Sequence, residues 1–407
     1  MVDEFTREKA YDWGLKDVFR DIFKIGVALN LDQIKGREPA TTTVVARHFN
    51  SLTPENLLKW EAVHPAPEYY DFDAADAYVA FGEKQRKQII GHTLVWFYQT
   101  PDWVFRDAAG RFLDRPALLE RMRDHIHTVM GRYKGRIHGW DVVNEAIVPD
   151  GQFRQCPWLE IIGEDYVQKA FEFAREADPG AQLYYNDYNY WKPGQCNGVI
   201  KLIRRLQAAG VQPDGLGIQG HWGLDYPELG RIEQFINELT PLGIPLMMTE
   251  MDLTVLPFAE EHVNKRLSEL DPDLQKRINP YPSVLPETVL QDQAQRWARP
   301  CTPPGSGIKI KDALLISKTS LSLSSFSTRN AVKNRSRKTC RLTVNSGSCL
   351  KRSVSAFAGC RATIRSKSGR NLSDRFKSYR NKTHPQIFYG TIYNLFASQL
   401  HVTGKLI

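Results

Sequence analysis

The sequence lacks the features that would assign it to a membrane, secretory or zinc-binding class. It has no apolar run of the roughly 18 residues that a membrane-spanning helix requires. Its N-terminus, MVDEFTREKAYDW, has no basic start followed by an apolar stretch, so no secretory leader is recognisable. The six cysteines form no C-x-x-C pair and no His/Cys group with zinc-like spacing. We therefore expect no membrane span, no metal site, and scattered, unpaired thiols.

Acidic residues and tryptophan are nearly absent from the last quarter of the chain. Residues 301–407 contain 20 Lys and Arg but only two acids, whereas residues 1–300 contain 34 bases and 44 acids. All nine tryptophans lie at or before Trp297, and 17 serines follow residue 300. No strand or helix periodicity persists there. This composition predicts a globular part at 1–298 and a basic, Ser-rich tail at 299–407 that is disordered or read out of frame.

Within the globular part, short apolar runs alternate with longer helical patterns. The segment RPALLERMRDHIHTVMGRYKG repeats apolar residues every three or four positions, and helices are also predicted over 158–178 and from 286. Such alternation predicts a parallel α/β sheet with crossover helices. Six consecutive strands end in polar or aromatic residues, which favours a (β/α)8 TIM barrel over a doubly wound sheet. The strand candidates are 24–30, 48–56, 87–96, 137–146, 182–191, 215–222 and 245–253.

Two acidic motifs lie at the polar ends of strand candidates about a hundred residues apart. Glu145 ends WDVVNE, and Glu250 lies in MTEMD. Most of the 46 acids in the chain are expected to be solvated surface groups, so the position of these two is what distinguishes them. A pair of carboxylates delivered by separate strands is the minimum requirement for cleaving a glycosidic bond. We therefore predict that Glu145 and Glu250 face one groove.

Residues 14–298 resemble the catalytic barrel of glycoside hydrolase family 10, the endo-1,4-β-xylanases. The resemblance rests on motifs in the right order: GVALN, FNSLTPENLLKWE, GHTLVW, WDVVNEA, YYNDYN, GIQGHW and MTEMD. It implies retaining hydrolysis of internal β-1,4 bonds of xylan, with no metal or cofactor. It also implies a secreted or periplasmic protein, although no signal peptide is visible in this chain.

The resemblance assigns roles to individual residues. Glu145 would be the acid/base, Glu250 the nucleophile, and His221 and Asp252 the partners of the nucleophile. His221 taken alone would be a core histidine, and Trp140 is expected to pack in the core, whereas Trp60 offers a flat face to a sugar. The residues implied to bind substrate are Glu55, Asn56, Lys59, His92, Trp96, Gln99, Asn144, Tyr188, Gln219 and His221.

The chain departs from the family at two places. Phe97 stands where the family usually has His, which removes one polar contact near the sugars. After residue 298 the family's eighth strand and its tryptophan loop are missing, so we predict an incomplete barrel with about seven recognisable strands. Unpaired edges on the first and seventh strands would destabilise it unless the tail supplies a substitute. The only apolar candidate recognised for that role is 387–399.

Two alternatives to an active xylanase remain open at this point. The first is an inactive remnant of such an enzyme that only binds glycans. The basic tail could instead bind nucleic acid through phosphate contacts, but it contains no recognisable binding motif, so we expect no nucleic-acid partner. The oligomeric state is not predicted.

Overall fold

A computed structural model describes residues 14–21, 23–256, 271–274, 279–281, 284–298 and 314–317. All of them lie in one compact unit. The candidate strand 387–399 and most of the predicted tail lie outside the described residues. None of the helices in the described ranges combines the length and apolarity that crossing a membrane would require.

The described strands form a closed parallel barrel in chain order. Every neighbouring pair is parallel, and the last strand pairs with the first. The strands are β1 (Lys24–Leu29), β2 (Ser51–Pro54), β3 (Gln88–Val95), β4 (Gly139–Asn144), β5 (Gln182–Asp187), β6 (Gly215–Gly223), β7 (Leu246–Thr254) and β8 (Leu314–Ser317). The predicted α/β barrel class is confirmed, and β1 to β7 are the seven strands recognised in the sequence.

Helices connect successive strands, as parallel pairing requires. Two 3-10 turns, Asp102–Phe105 and Thr240–Leu242, add to them. The α-helices are α1 (Leu15–Val18), α2 (Leu31–Ile34), α3 (Pro39–His48), α4 (Trp60–Val63), α5 (Asp73–Lys84), α6 (Arg115–Arg132), α7 (Pro157–Ile162), α8 (Tyr166–Ala177), α9 (Pro193–Ala208), α10 (Leu229–Leu239) and α11 (Glu287–Ala298).

One predicted helix, 158–178, is two helices in the structure. Helix α7 ends where Gly163 adopts a φ of 97°, and α8 starts at Tyr166. A positive φ of this kind is readily adopted only by glycine, so the residue ends the helix. The apolar spacing continues across the break, which is why periodicity alone predicted one helix.

Strands β2 and β4 are buried on both faces, as in other barrels with an outer ring of helices. Every residue of β2 and β4 is buried. Trp140 is 1% exposed, which confirms its predicted place in the core. Its ring packs on Gly91 of β3, where an added Cβ would lie 2.1 Å from the indole. Strands β3 and β4 are therefore closely packed against each other below the polar C-terminal end of β4.

A short eighth strand closes the barrel. Leu314–Ser317 pairs with β1 through Lys24 to Val27, and with β7 at Met248 and Met251. The tail therefore supplies the substitute on which pairing of the first and seventh strands depends. This pairing also places four residues of the predicted tail in the barrel. Strand β8 is not predicted from the sequence, because three apolar residues and a serine in a basic, Ser-rich stretch show no periodicity.

We predict that closure by β8 contributes measurably to stability. Leu315→Pro removes one backbone N–H from the middle of the strand and leaves its acceptor on β1 or β7 unpaired, which costs about 1–3 kcal/mol. The measurement is urea unfolding followed by tryptophan fluorescence. Leu315→Val, which keeps the N–H, is the control. Unfolding midpoints that are equal for Leu315→Pro and the control would show that a different segment closes the barrel.

Candidate active site

Polar side chains from β4 to β7 meet at the C-terminal face of the barrel. Glu145 directly follows β4, Asn186 lies near the end of β5, Gln219 and His221 lie on β6, and Glu250 lies on β7. Strands that run parallel in a ring place their C-terminal ends on one side of the sheet. The predicted groove residues are therefore brought together.

Two amide side chains connect the two glutamates. Asn144 Nδ2 donates to Glu145 Oε1 over 3.1 Å, and Asn186 Nδ2 donates to Glu250 Oε1 over 2.8 Å. Asn186 Nδ2 also donates to Asn144 Oδ1 over 2.9 Å, which completes the link. Gln219 Nε2 adds a second donor to Glu145 Oε1 at 3.1 Å. Asn144 and Asn186 thus join the two carboxylates by three consecutive hydrogen bonds, so the two glutamates converge on one site.

Both glutamates have an unusual backbone conformation. The φ angles are 58° at Glu145 and 49° at Glu250, in the left-handed region that favours glycine. The β6–β7 register also shifts between Gln219 and His221, and the β7–β8 register shifts between Met248 and Met251. Irregular backbone of this kind re-aims side chains and is concentrated at functional sites. Here it turns both carboxylates into the groove.

His221 joins Glu250 to Asp252. Its Nε2 lies 3.3 Å from Glu250 Oε2, and its Nδ1 lies 2.8 Å from Asp252 Oδ2. Burial acts to lower the pKa of His221, but the Asp252 and Glu250 carboxylates outweigh it and raise that pKa to about 10. His221 is therefore a cation at neutral pH. It is not the core histidine that the residue alone would have suggested.

A second polar group surrounds Lys59. Its Nζ donates to Asn56 Oδ1 over 2.8 Å and to Gln99 Oε1 over 2.7 Å, and lies 4.6 Å from the centroid of Trp96. Gln99 also donates to Glu61 over 2.6 Å. Three predicted sugar-binding residues, Asn56, Gln99 and Trp96, are thus assembled around the ammonium group of a fourth, Lys59.

The remaining predicted residues are placed as follows. Glu55 directly follows β2, His92 lies on β3, and the Tyr188 hydroxyl accepts from Arg154 over 2.6 Å. Trp60 is 2% exposed, and its ring stacks on that of His125 with 3.6 Å between the ring centroids. Trp60 therefore packs below the site and does not present its ring face to a sugar.

Four residues of the site were missed by the sequence reasoning. Asn186 bridges the two halves of the amide link, and Asp141 contacts His92 Nδ1 over 2.9 Å. Burial raises the pKa of Asp141. Asp187 and Arg154 hold the chain that follows Glu145. Asn186 and Asp187 lie within YYNDYN, but strand alternation alone could not show which of them faces the groove. Within the described ranges, no cluster of three or more His, Cys, Asp or Glu is arranged to hold a metal ion.

Comparison with known proteins identifies the family of this barrel. The sequence profile of glycosyl hydrolase family 10 matches residues 14–289. The chain belongs to that family. It is therefore a glycoside hydrolase, and the resemblance drawn from its motifs is confirmed.

Several relatives and solved structures agree with this placement. The chain is 40% identical over 283 residues to endo-1,4-beta-xylanase A of Xylanibacter ruminicola, covering 70% of this chain and 76% of the relative. It is 42% identical over 259 residues to a beta-1,4-xylanase of Dictyoglomus thermophilum, covering 63% and 71%. A family 10 endoxylanase from a sugarcane soil metagenome superposes with a TM-score of 0.66 at 37% identity, over 75% of this chain and 87% of that one.

The raised pKa of His221 predicts a pH dependence of stability. A group whose folded pKa exceeds its unfolded value stabilises the fold fully below the unfolded pKa, here 6.5, and loses that effect as pH rises through about 10. The free energy of unfolding of the wild type should therefore exceed that of His221→Gln most at pH 6, and the gap should shrink towards pH 10. Urea titrations at pH 6, 8 and 10 measure this gap.

The control for this measurement is His127→Gln, which replaces a histidine 3.4 Å from Glu176, away from the groove. A gap between the wild type and His221→Gln that is constant from pH 6 to pH 10, or that widens with pH, would contradict the charged His221.

Proposed function

We propose that this glycoside hydrolase is an endo-1,4-β-xylanase that cleaves internal β-1,4 bonds of xylan with retention of configuration. Glu145 is the general acid/base and Glu250 is the nucleophile. The observation that carries the proposal is the amide link through Asn144 and Asn186, which holds the two carboxyl groups at one groove. The relatives named as xylanases support the choice of substrate.

The hydrogen bonds of the two glutamates fit different roles. Both oxygens of Glu250 face donors, Asn186 Nδ2 on Oε1 and the His221 ring on Oε2. Donors and a neighbouring cation favour the ionised form that a nucleophile needs. Glu145 receives its two amide donors on Oε1 alone, and Oε2 has no hydrogen-bond partner in the described part of the chain. This oxygen of Glu145 can therefore hold the proton that is transferred to the leaving group.

The reaction then proceeds in two steps. Glu145 gives its proton to the glycosidic oxygen while a Glu250 oxygen bonds to the anomeric carbon, which breaks the bond to the leaving sugar chain. The resulting glycosyl ester is cleaved when Glu145, now a carboxylate, takes a proton from a water molecule that attacks the same carbon. Glu250 leaves as a carboxylate, and two inversions give net retention.

The Lys59 group fits recognition of the sugar hydroxyls. Lys59, Asn56 and Gln99 present fixed donors and acceptors, and the ring of Trp96 lies against the same ammonium group. The indole Nε1 of Trp96 is buried with no partner among the described residues. In a chain of pyranose rings, hydroxyl groups lie along the edges and apolar C–H groups form the faces. A row of polar side chains beside an aromatic ring is therefore complementary to such a chain.

The assignment predicts distinct effects of the two glutamates. Glu145→Gln should lower kcat/KM on xylan by roughly 10²–10⁴, the usual contribution of general acid catalysis. Glu250→Ala should abolish hydrolysis, because no carboxylate remains to form the ester. Reducing-sugar release measures both. Glu164→Gln, on an exposed carboxylate paired with Arg205, is the control and should keep full activity.

The same assay distinguishes the enzyme from an inactive remnant. A wild-type protein that melts cooperatively but releases no reducing sugar from xylan would sink the xylanase proposal. Unchanged activity in Glu250→Ala would refute its role as nucleophile.

Retention is tested separately from activity. Proton NMR of xylo-oligosaccharide hydrolysis should show the β-anomer of the new reducing end first, with the α-anomer appearing only at the rate of mutarotation. Initial accumulation of the α-anomer would instead indicate a single displacement by water, which requires a wider separation of the two carboxyl groups.

A further inference from the structure

The chain that follows Glu145 is held by more hydrogen bonds than a surface loop requires. Glu145 itself donates its N–H to the Asn186 carbonyl over 2.9 Å and accepts from Arg154 Nε at its own carbonyl over 2.9 Å. Its φ of 58° is costly for a residue with a side chain. A conformation of this kind persists only when the surrounding structure enforces it.

A buried tyrosine and a buried aspartate on β5 supply that enforcement. Ala146 N–H donates to the Tyr185 hydroxyl over 3.1 Å, and Ile147 N–H donates to Asp187 Oδ2 over 3.4 Å. The Tyr185 hydroxyl donates to the same Asp187 oxygen. Tyr185 and Asp187 are both 0% exposed. We call these two residues the β5 clamp.

The clamp lies on the opposite face of β5 from the groove. Side chains alternate along a strand, so Tyr185 and Asp187 share one face and Asn186 takes the other. Asn186 contacts Glu250 inside the groove, whereas the clamp reaches the backbone behind Glu145. One short strand segment therefore supports both carboxyl groups from its two sides.

Both oxygens of Asp187 act as acceptors in the clamp. Oδ2 accepts from the Tyr185 hydroxyl and from the Ile147 N–H, and Oδ1 accepts from the Tyr188 N–H over 2.8 Å. Burial is the main cause that raises the pKa of Asp187 to about 8; the hydrogen bond from Tyr185 opposes the rise and the nearby Glu145 carboxyl adds to it. An asparagine at this position keeps one oxygen and replaces the other with an NH₂ donor, so it cannot accept all three hydrogen bonds.

We propose that Asp187, acting with Tyr185, is a positioning residue that orients Glu145 for proton donation to the leaving group. The inference rests on the proposed function, in which Glu145 is the general acid. Without the clamp, the amides of Ala146 and Ile147 lose their acceptors and the strained Glu145 backbone relaxes. A displacement of about 1 Å can cost on the order of 10²-fold in rate. The loss of rate should affect protonation of the leaving group and not the attack by Glu250, because Glu250 is held by Asn186 and His221.

The test uses two aryl β-xylobiosides that differ in their leaving group. Dinitrophenolate leaves without protonation, whereas phenolate needs the proton of Glu145. In Asp187→Asn and in Tyr185→Phe, kcat/KM on the phenyl substrate should fall on the order of 10–10²-fold, and on the dinitrophenyl substrate by less than about 3-fold. The ratio of the two kcat/KM values is the readout, because it does not depend on how much of the variant is folded.

Matched controls remove an equally buried group elsewhere in the barrel. Asp178→Asn alters a buried carboxyl that accepts from Gly135 and Gly180, and Tyr78→Phe removes a buried hydroxyl bonded to two strand carbonyls. Neither control should change the substrate ratio.

The outcomes separate the two proposals. An equal loss on both substrates, or no loss on either, would overturn the positioning role of Asp187 while leaving the xylanase assignment intact. A wild-type protein that cleaves neither substrate would overturn the proposed function, and this inference with it.

Discussion

The site depends on the direction of one chain of amide hydrogen bonds. The Thr249 hydroxyl donates to Asn186 Oδ1 over 2.6 Å, so the NH₂ group of Asn186 must face Asn144 and Glu250. Asn144 Oδ1 accepts from Asn186 and from Gln219, so its own NH₂ group must face Glu145. The NH₂ groups of Asn144 and Asn186 therefore each face a carboxylate. Since each link is near 3 Å, the chain fixes the separation of the glutamates as well as their hydrogen bonding.

The barrel is what keeps that chain of amides in register. Its members come from β4, β5, β6 and β7, so a slip of any one strand by a residue would turn its polar side chains away from the groove. Four residues of β8 join β7 to β1 and complete the ring. Because β7 carries Glu250, the pairing of β7 with β8 affects the position of the nucleophile. The strand that closes the barrel therefore also pairs with the strand that carries the nucleophile.

How far the sequence could predict this arrangement differs from residue to residue. The strand order and the two glutamates could be predicted, because polar residues at the ends of apolar runs recur along the chain. Asn186 and Asp187 could not be assigned, since their roles depend on which face of β5 each occupies. Strand β8 could not be predicted, because three apolar residues followed by a serine show no period. Trp60 was placed in the groove, but its ring stacks on buried His125, a contact between segments far apart in sequence.

Phe97 shows how a departure from the family pattern is accommodated. The sequence predicted the loss of one polar contact where the family usually has His. In the structure the Arg154 guanidinium lies 4.1 Å from the centre of the Phe97 ring, an arrangement in which the ring face attracts the cation. The same guanidinium donates to the Glu145 carbonyl and to the Tyr188 hydroxyl. Phe97 therefore stabilises the group that holds the backbone of the acid, so this substitution affects the site through Arg154 as well as through the missing polar contact.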